Sequence, residues 1–166
     1  MIRCYVGMGS NLGDSVAHLD QALSALAQLP DSQLVDSSSY YRSPPMAGME
    51  QPDYTNAVAV LDTQLKPLAL LDALQGIETQ QGRQRLERWG ARTLDLDLLL
   101  YGDTTLCTER LTLPHYGMAE RAFVLIPLFE LAPELALPDG RQLTTLLAQC
   151  PAQPLYRHDG GCHLPD

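Results

Sequence analysis

Lysine is almost missing from this 166-residue chain: Lys66 stands alone among eleven basic residues, and the rest are arginine. Positive charge is also scarce in total. The formal net charge of −9 argues against broad binding of nucleic acid or anionic membranes. No apolar run approaches the ~18 residues that a membrane span needs, and Met1-Ile2-Arg3-Cys4-Tyr5 reads as a strand rather than a signal peptide. Four cysteines are scattered with no C-x-x-C pair, which points to reduced thiols. Gly9-Ser10-Asn11 lacks the further glycines of either phosphate-loop motif, so it reads as a turn. The chain also lacks internal repeats and any linker that would divide it. These absences leave a cytoplasmic enzyme or binding domain of one unit, residues 1–150, with a loose tail at 151–166.

What is present concentrates in one stretch. Residues 82–102, GRQRLERWGARTLDLDLLLYG, hold four arginines, the single tryptophan and an Asp-x-Asp pair. Strand alternation puts Thr93, Asp95, Asp97, Leu99 and Tyr101 on one face and Leu94, Leu96, Leu98 and Leu100 on the other. Two residues of strand separate Asp95 and Asp97 by roughly 6.5–7 Å at the backbone, near enough to share one or two hard cations. Arginine is suited to fixed-geometry contacts with phosphate, and residues 83–121 carry Arg83, Arg85, Arg88, Arg92, Arg110 and Arg121. Cations held by carboxylates beside an arginine cluster are the layout of a metal-assisted phosphoryl-transfer site.

Elements follow from periodicity. Residues 2–8 predict a strand; Val16, Leu19, Leu23, Leu26 and Leu29 predict a helix stopped by Pro30. Residues 33–42 and 56–65 predict two more strands. Pro67 opens a helix carrying Leu68, Leu71, Leu74 and Ile77, closed at Gly82. With the Asp-x-Asp strand the order is β-α-β-β-α-β, an α+β, ferredoxin-like sandwich with an antiparallel sheet and helices on one face. Helical and loop additions follow: a run over 120–131 and a short helix at 143–149. The connection from Ser43 to Asn56, rich in proline, predicts a binding wall or lid. Tyr54 and Asn56 share a strand face and offer a ring to stack on and an amide to read a heterocycle's edge. His115 suits either a polar surface or, beside Arg110 and Thr112, a bond to a phosphate oxygen without acting as a base. Trp89 suits either the core or a plug that excludes water on loop closure.

Two other classes fit these residues less well. A regulatory ferredoxin-like domain has no need of the Asp-x-Asp pair, and a two-metal nuclease needs a more basic surface. The segments GSNLGD, RSPP, QPDYTNAV, RWGARTLDLDLLLYG, LTLPHYGMAERAFVLIPL and ELAPEL, in this order from about residue 4 to 147, resemble the 6-hydroxymethyl-7,8-dihydropterin pyrophosphokinases of folate biosynthesis. The resemblance implies transfer of the β,γ-diphosphate of ATP to the pterin hydroxymethyl oxygen, leaving AMP. It implies Asp95 and Asp97 as ligands of two Mg²⁺ ions, with Arg83 and Arg92 as catalytic loop arginines. The pterin positions it implies are Gly9, Ser43, Pro44, Pro45, Met46, Tyr54, Asn56, Trp89 and Phe123. On the ATP side it implies Glu78, Arg85, Trp89, Arg92, Arg110, Leu111, Thr112, His115, Tyr116 and Arg121. It further implies a monomer whose partners are ATP and the pterin. Two features depart from the family pattern: three residues rather than four separate Arg85 from Trp89, and Ala91 stands where a proline is frequent.

Overall fold

The structure is a computed structural model and describes residues 1–11, 14–43, 53–81, 94–150 and 155–157. The chain runs β1 (Ile2–Ser10), α1 (Ser15–Ala27), β2 (Ser32–Ser37), β3 (Tyr41–Ser43), β4 (Tyr54–Thr63), α2 (Pro67–Gln80), β5 (Asp95–Tyr101), β6 (Leu106–Cys107) and β7 (Thr112–Leu113). A short 3₁₀ turn at Met118–Glu120 precedes α3 (Ala122–Leu131), α4 (Leu143–Gln149) and β8 (Tyr156–Arg157). The main sheet has the order β5-β1-β4, after which β2 and β3 both pair with β4 and β8 pairs with β3. All of its pairings are antiparallel. With β2 and β3 counted as one interrupted edge, this is the expected split β-α-β arrangement.

Local sequence explains the elements. Asp14 caps α1 by accepting the Ala17 N–H at 3.1 Å, and Pro67 opens α2 where a missing N–H costs nothing. Leu19, Ala22 and Leu26 of α1 and Leu70, Leu71, Leu74 and Ile77 of α2 pack on Cys4, Val6, Met8, Ala57, Ala59, Leu61, Leu96 and Leu98. That cluster is the core between the helices and one face of the sheet.

Helices α1 and α2 share one face, as expected, and the added helices cover part of the other: Val124, Leu125 and Leu128 of α3 and Leu143 and Leu146 of α4 pack on Tyr5, Val58, Val60 and Leu99. Two expectations are corrected. The expected strand 33–42 breaks at 38–40, where the Ser38 hydroxyl accepts from Val58 N at 2.9 Å and replaces a ladder bond. Alternation along β5 also fails at its end. Val6 pairs with Leu98 and Tyr5 with Leu100, so Leu99 is an extra residue. This bulge puts Leu99 and Leu100 together in the second core and returns Tyr101 to the first. The tail expected to be loose contributes buried Leu155 and strand β8; its residues 151–154 and 158–166 lie outside the described ones.

Candidate functional site

The site forms on the second face, beyond the part that α3 and α4 cover. Asp95 and Asp97 lie on β5 upstream of the bulge, with Leu94, Leu96 and Leu98 turned into the α1–α2 core as alternation requires. Asp95 is half-buried and Asp97 exposed. Directly across β1 from them stand Gly9 and Gly7. Facing side chains on paired strands come within ~5 Å, so any residue larger than glycine there would fill the space beside the carboxylates. The next strand places Asn56 opposite Gly9 and Val58 opposite Gly7. A Cβ on Gly9 would stand 3.3 Å from Asn56 Oδ1, tighter than an ordinary contact. The result is a glycine strip between a pair of carboxylates and a buried amide, open at Gly9 and bordered at Gly7 by the Leu99 side chain, 3.5 Å from where a Cβ would stand.

Two carboxylates offer the hard oxygen donors that Mg²⁺ takes. Among the described residues no group of three or more His, Cys, Asp and Glu joins them. An ion at the pair would complete its shell with water and substrate oxygens, as Mg²⁺ prefers. The chemistry of the donor set and the bare glycines therefore fit such an ion.

One side of the strip carries the predicted pterin residues. Asn56 Nδ2 donates to Ser43 Oγ at 2.8 Å, a buried bond that fixes which way the amide faces. Tyr54 starts the same strand and is half-buried. Phe123 lies in the first turn of α3 against the second core, and the Arg121 guanidinium carbon is 5.8 Å from its ring centre. Pro44, Pro45 and Met46 lie outside the described residues. So do Arg83, Arg85, Trp89 and Arg92, together with the shortened segment and Ala91.

On the other side stands the turn around His115. The bulge at Leu99 shapes this wall, because the Leu99 carbonyl accepts the His115 N–H at 2.9 Å. His115 Nδ1 accepts from Gly117 N at 3.2 Å, which in the neutral ring leaves the proton on Nε2. Burial holds the imidazole below its ordinary pKa, with Asp97 pulling it upward and Arg121 pushing it down. Tyr116 stacks on His115 with ring centres 4.8 Å apart and is otherwise 80% exposed. Arg121 rests over Gly117, where a Cβ would meet its guanidinium carbon at 3.0 Å. Leu111 is buried, and Thr112 lies on β7 beside it. Arg110 is exposed and held against α2 by Asp72 and Gln75. Glu78, expected at the mouth of the nucleotide site, is 5% exposed, and its Oε2 accepts the Leu96 N–H at 2.7 Å.

Sequence reading did not single out Gly7, Gly117 or the Leu99 bulge. Gly7 was legible: Gly7-Met8-Gly9 in a strand places both glycines on one face, the pattern expected where a ligand approaches the backbone. The bulge carries no residue signature, since Leu99 sits in a run of three leucines.

The family model described as 7,8-dihydro-6-hydroxymethylpterin-pyrophosphokinase (HPPK) matches residues 5–133. A protein of Haemophilus influenzae named 2-amino-4-hydroxy-6-hydroxymethyldihydropteridine pyrophosphokinase is 54% identical over 149 residues, spanning 90% of this chain and 93% of its own. A protein of the same name from Pseudomonas aeruginosa is 53% identical over 158 residues, spanning 95% and 98%. Among solved structures, a wild-type Plasmodium falciparum HPPK-DHPS with pteroate aligns with a TM-score of 0.72 at 12% identity, over 89% of this chain and 42% of that one. At that identity the likeness is one of fold, and the chain spans under half the length of the solved one.

Proposed function

Because the chain belongs to the 7,8-dihydro-6-hydroxymethylpterin-pyrophosphokinase family, we propose that the face bearing Asp95 and Asp97 is where its reaction takes place. The protein transfers diphosphate from ATP to 6-hydroxymethyl-7,8-dihydropterin, a step of folate biosynthesis. The observation that carries the placement is the register: Asp95, Gly9 and Asn56 form one row across three strands. Carboxylates and a pterin-reading amide thus flank a strip whose two β1 positions are glycine.

In this reading the pterin lies on the Asn56 side. Tyr54 and Phe123 hold its rings, and Ser43, Asn56 and the segment Pro44–Met46 read its polar edge. The amide suits this task because Ser43 engages its Nδ2, while Oδ1 lies over Gly9 and can accept from a heterocycle N–H. ATP lies along the His115 side. Arg83, Arg85, Arg92, Arg110 and Arg121 neutralise and align its phosphates, with Trp89, Leu111, Thr112, His115 and Tyr116 lining the nucleotide. Asp95 and Asp97 hold two Mg²⁺, which when bound neutralise charge on the phosphates and lower the cost of deprotonating the hydroxyl. The hydroxymethyl oxygen gives up its proton to solvent and attacks the β-phosphorus, the bond between the β-phosphorus and the oxygen bridging to the α-phosphorus breaks, and AMP leaves with that electron pair. Displacement at phosphorus needs alignment and neutralised charge more than covalent help, so carboxylates and arginines suffice and no side chain is assigned as base.

Residues 1–150 carry the substrate- and metal-contacting residues in this reading, and the protein acts as a monomer in the cytoplasm. No helix among the described residues is long and apolar enough to cross a membrane. The test is release of AMP from ATP and Mg²⁺ with and without the pterin, following the pterin product by mass. Pterin-dependent AMP with a product heavier by two phosphoryl groups supports the assignment. Binding of either substrate without AMP refutes it as an enzyme with this site.

A further inference from the structure

The row that contains Asp95, Gly9 and Asn56 does not end at Asn56. Tyr41 of β3 lies opposite Asn56, and Arg157 of β8 lies opposite Tyr41. Five residues from five strands therefore stand in one line, from the carboxylates to a C-terminal arginine. Tyr41 is 2% exposed, and its hydroxyl donates to Glu130 Oε1 at 2.6 Å. Glu130 also accepts from the Ser39 backbone N–H and hydroxyl, each at 3.0 Å to Oε2. Arg157 closes the group. Its Nη2 is 3.5 Å from the Tyr41 oxygen and 3.9 Å from Glu130 Oε1, and its guanidinium carbon lies 5.8 Å from the Tyr41 ring centre. Leu155, just before β8, is 3% exposed, which anchors the segment by its own burial.

This group bears on substrate recognition through β3. That strand has three residues, too few to hold a position by its own ladder. Yet it supplies Ser43, whose hydroxyl orients the Asn56 amide, and Tyr41, which stands opposite Asn56 in the ladder. β3 is held on one side by β4 and on the other by β8. Its one buried polar ring is tied to the end of α3 by Glu130 and to β8 by Arg157. Remove the arginine and the Tyr41–Glu130 pair loses its cation, while β3 loses a side-chain tie on its outer edge.

We propose that Arg157 is a positioning residue for pterin recognition: through Tyr41 and Glu130 it fixes β3, and through Ser43 the direction in which Asn56 presents its amide oxygen. The inference rests on Asn56 being the pterin reader. An amide turned the wrong way offers a donor where the heterocycle also has one, so mis-orientation costs affinity for the pterin and not for ATP.

The experiment measures KM for pterin and for ATP, kcat and thermal unfolding in the full chain carrying Arg157→Ala, Arg157→Lys, Tyr41→Phe or Asn56→Ala. Arg157→Ala is expected to raise the pterin KM about three- to tenfold, with the ATP KM within about twofold. Arg157→Lys restores part of the loss, because a cation returns without the planar fork. Tyr41→Phe, which keeps the ring and removes the donor, shifts the pterin KM in the same direction. An unchanged pterin KM in Arg157→Ala, while Asn56→Ala raises it, overturns the role of Arg157 and leaves the pterin site standing. An unchanged value in both overturns the Asn56 assignment and the inference with it. Equal rises for pterin and ATP with a lowered unfolding temperature mean that Arg157 only stabilises the fold, which also overturns the proposal.

Discussion

Glu78 offers the sharpest quantitative test, because two roles for it lead to different measurements. Strand β5 has a partner on one side only among the described residues, so alternate N–H groups point off an open edge. The one on Leu96, between the two aspartates, is met by Glu78 Oε2 at 2.7 Å from α2. The side chain is 5% exposed, so the bond is shielded from solvent in the intact protein. Glu78→Ala strands that N–H and removes a charge-assisted bond, together worth about 2–3 kcal/mol, offset in part by no longer burying a carboxylate. A net loss of about 2 kcal/mol corresponds to roughly 4–8 °C of melting temperature for a chain of this size. Glu78→Gln keeps an acceptor oxygen in place and is expected to lose about half as much. The flanking Asp95 and Asp97 shift with the strand, so kcat falls more than the KM for ATP rises. Calorimetry and steady-state kinetics on the two variants decide the matter. If Glu78→Ala melts like the parent but binds ATP many-fold more weakly, the carboxylate serves the nucleotide and the structural argument is wrong.

Three further outcomes are expected. Asp97→Ala lowers turnover by at least about a hundredfold, some 2.7 kcal/mol of transition-state stabilisation, and parent-like AMP release would end the case for a metal pair. Tyr54→Ala weakens pterin binding about ten- to a hundredfold and leaves ATP binding nearly intact, as titration calorimetry with each substrate will reveal; comparable losses for both would remove the ring from the pterin site. In metal-free protein, Asp97→Asn deletes the influence that pulls His115 upward, so the midpoint of its ring-proton NMR titration moves to lower pH. Because the folded pKa already lies below the ordinary ~6.5, the unfolded chain binds the proton more readily. His115's contribution is thus complete above ~6.5 and is lost as the pH falls through the folded value. A midpoint that stays put or rises in Asp97→Asn would mean that the two groups are not coupled.

The fold was legible where one residue pattern dominated and obscure where two surfaces competed. Leu19 and Leu26, or Leu71, Leu74 and Ile77, face a single core, and their spacing alone announces the helix and its buried side. The same holds for Asp95 and Asp97, whose polarity amid leucines marks the face they occupy. Past Leu98 that logic breaks, because β5 passes from the stretch beside the site to the stretch of the same face that α3 and α4 cover, where Leu100 joins Leu99. Leucine suits both cores equally, so Leu98, Leu99 and Leu100 say nothing about which of them is the extra residue. The bulge is settled by tertiary demands: Leu99 and Leu100 both fill the second core, while the Leu99 carbonyl is taken by His115. This also explains why the site's wall was harder to read than its floor. The floor is a strand pattern, Asp-x-Asp facing Gly-x-Gly. The wall depends on a turn whose anchor is a backbone oxygen, and backbone oxygens look alike in every sequence. The interrupted edge at 38–40 fails for the same reason. Ser38, Ser39 and Tyr40 predict no break, and only the pairing of Ser38 with Val58 makes one. A site built on such an edge needs side chains from distant parts of the chain to hold it, which is the place that Glu130 and Arg157 occupy.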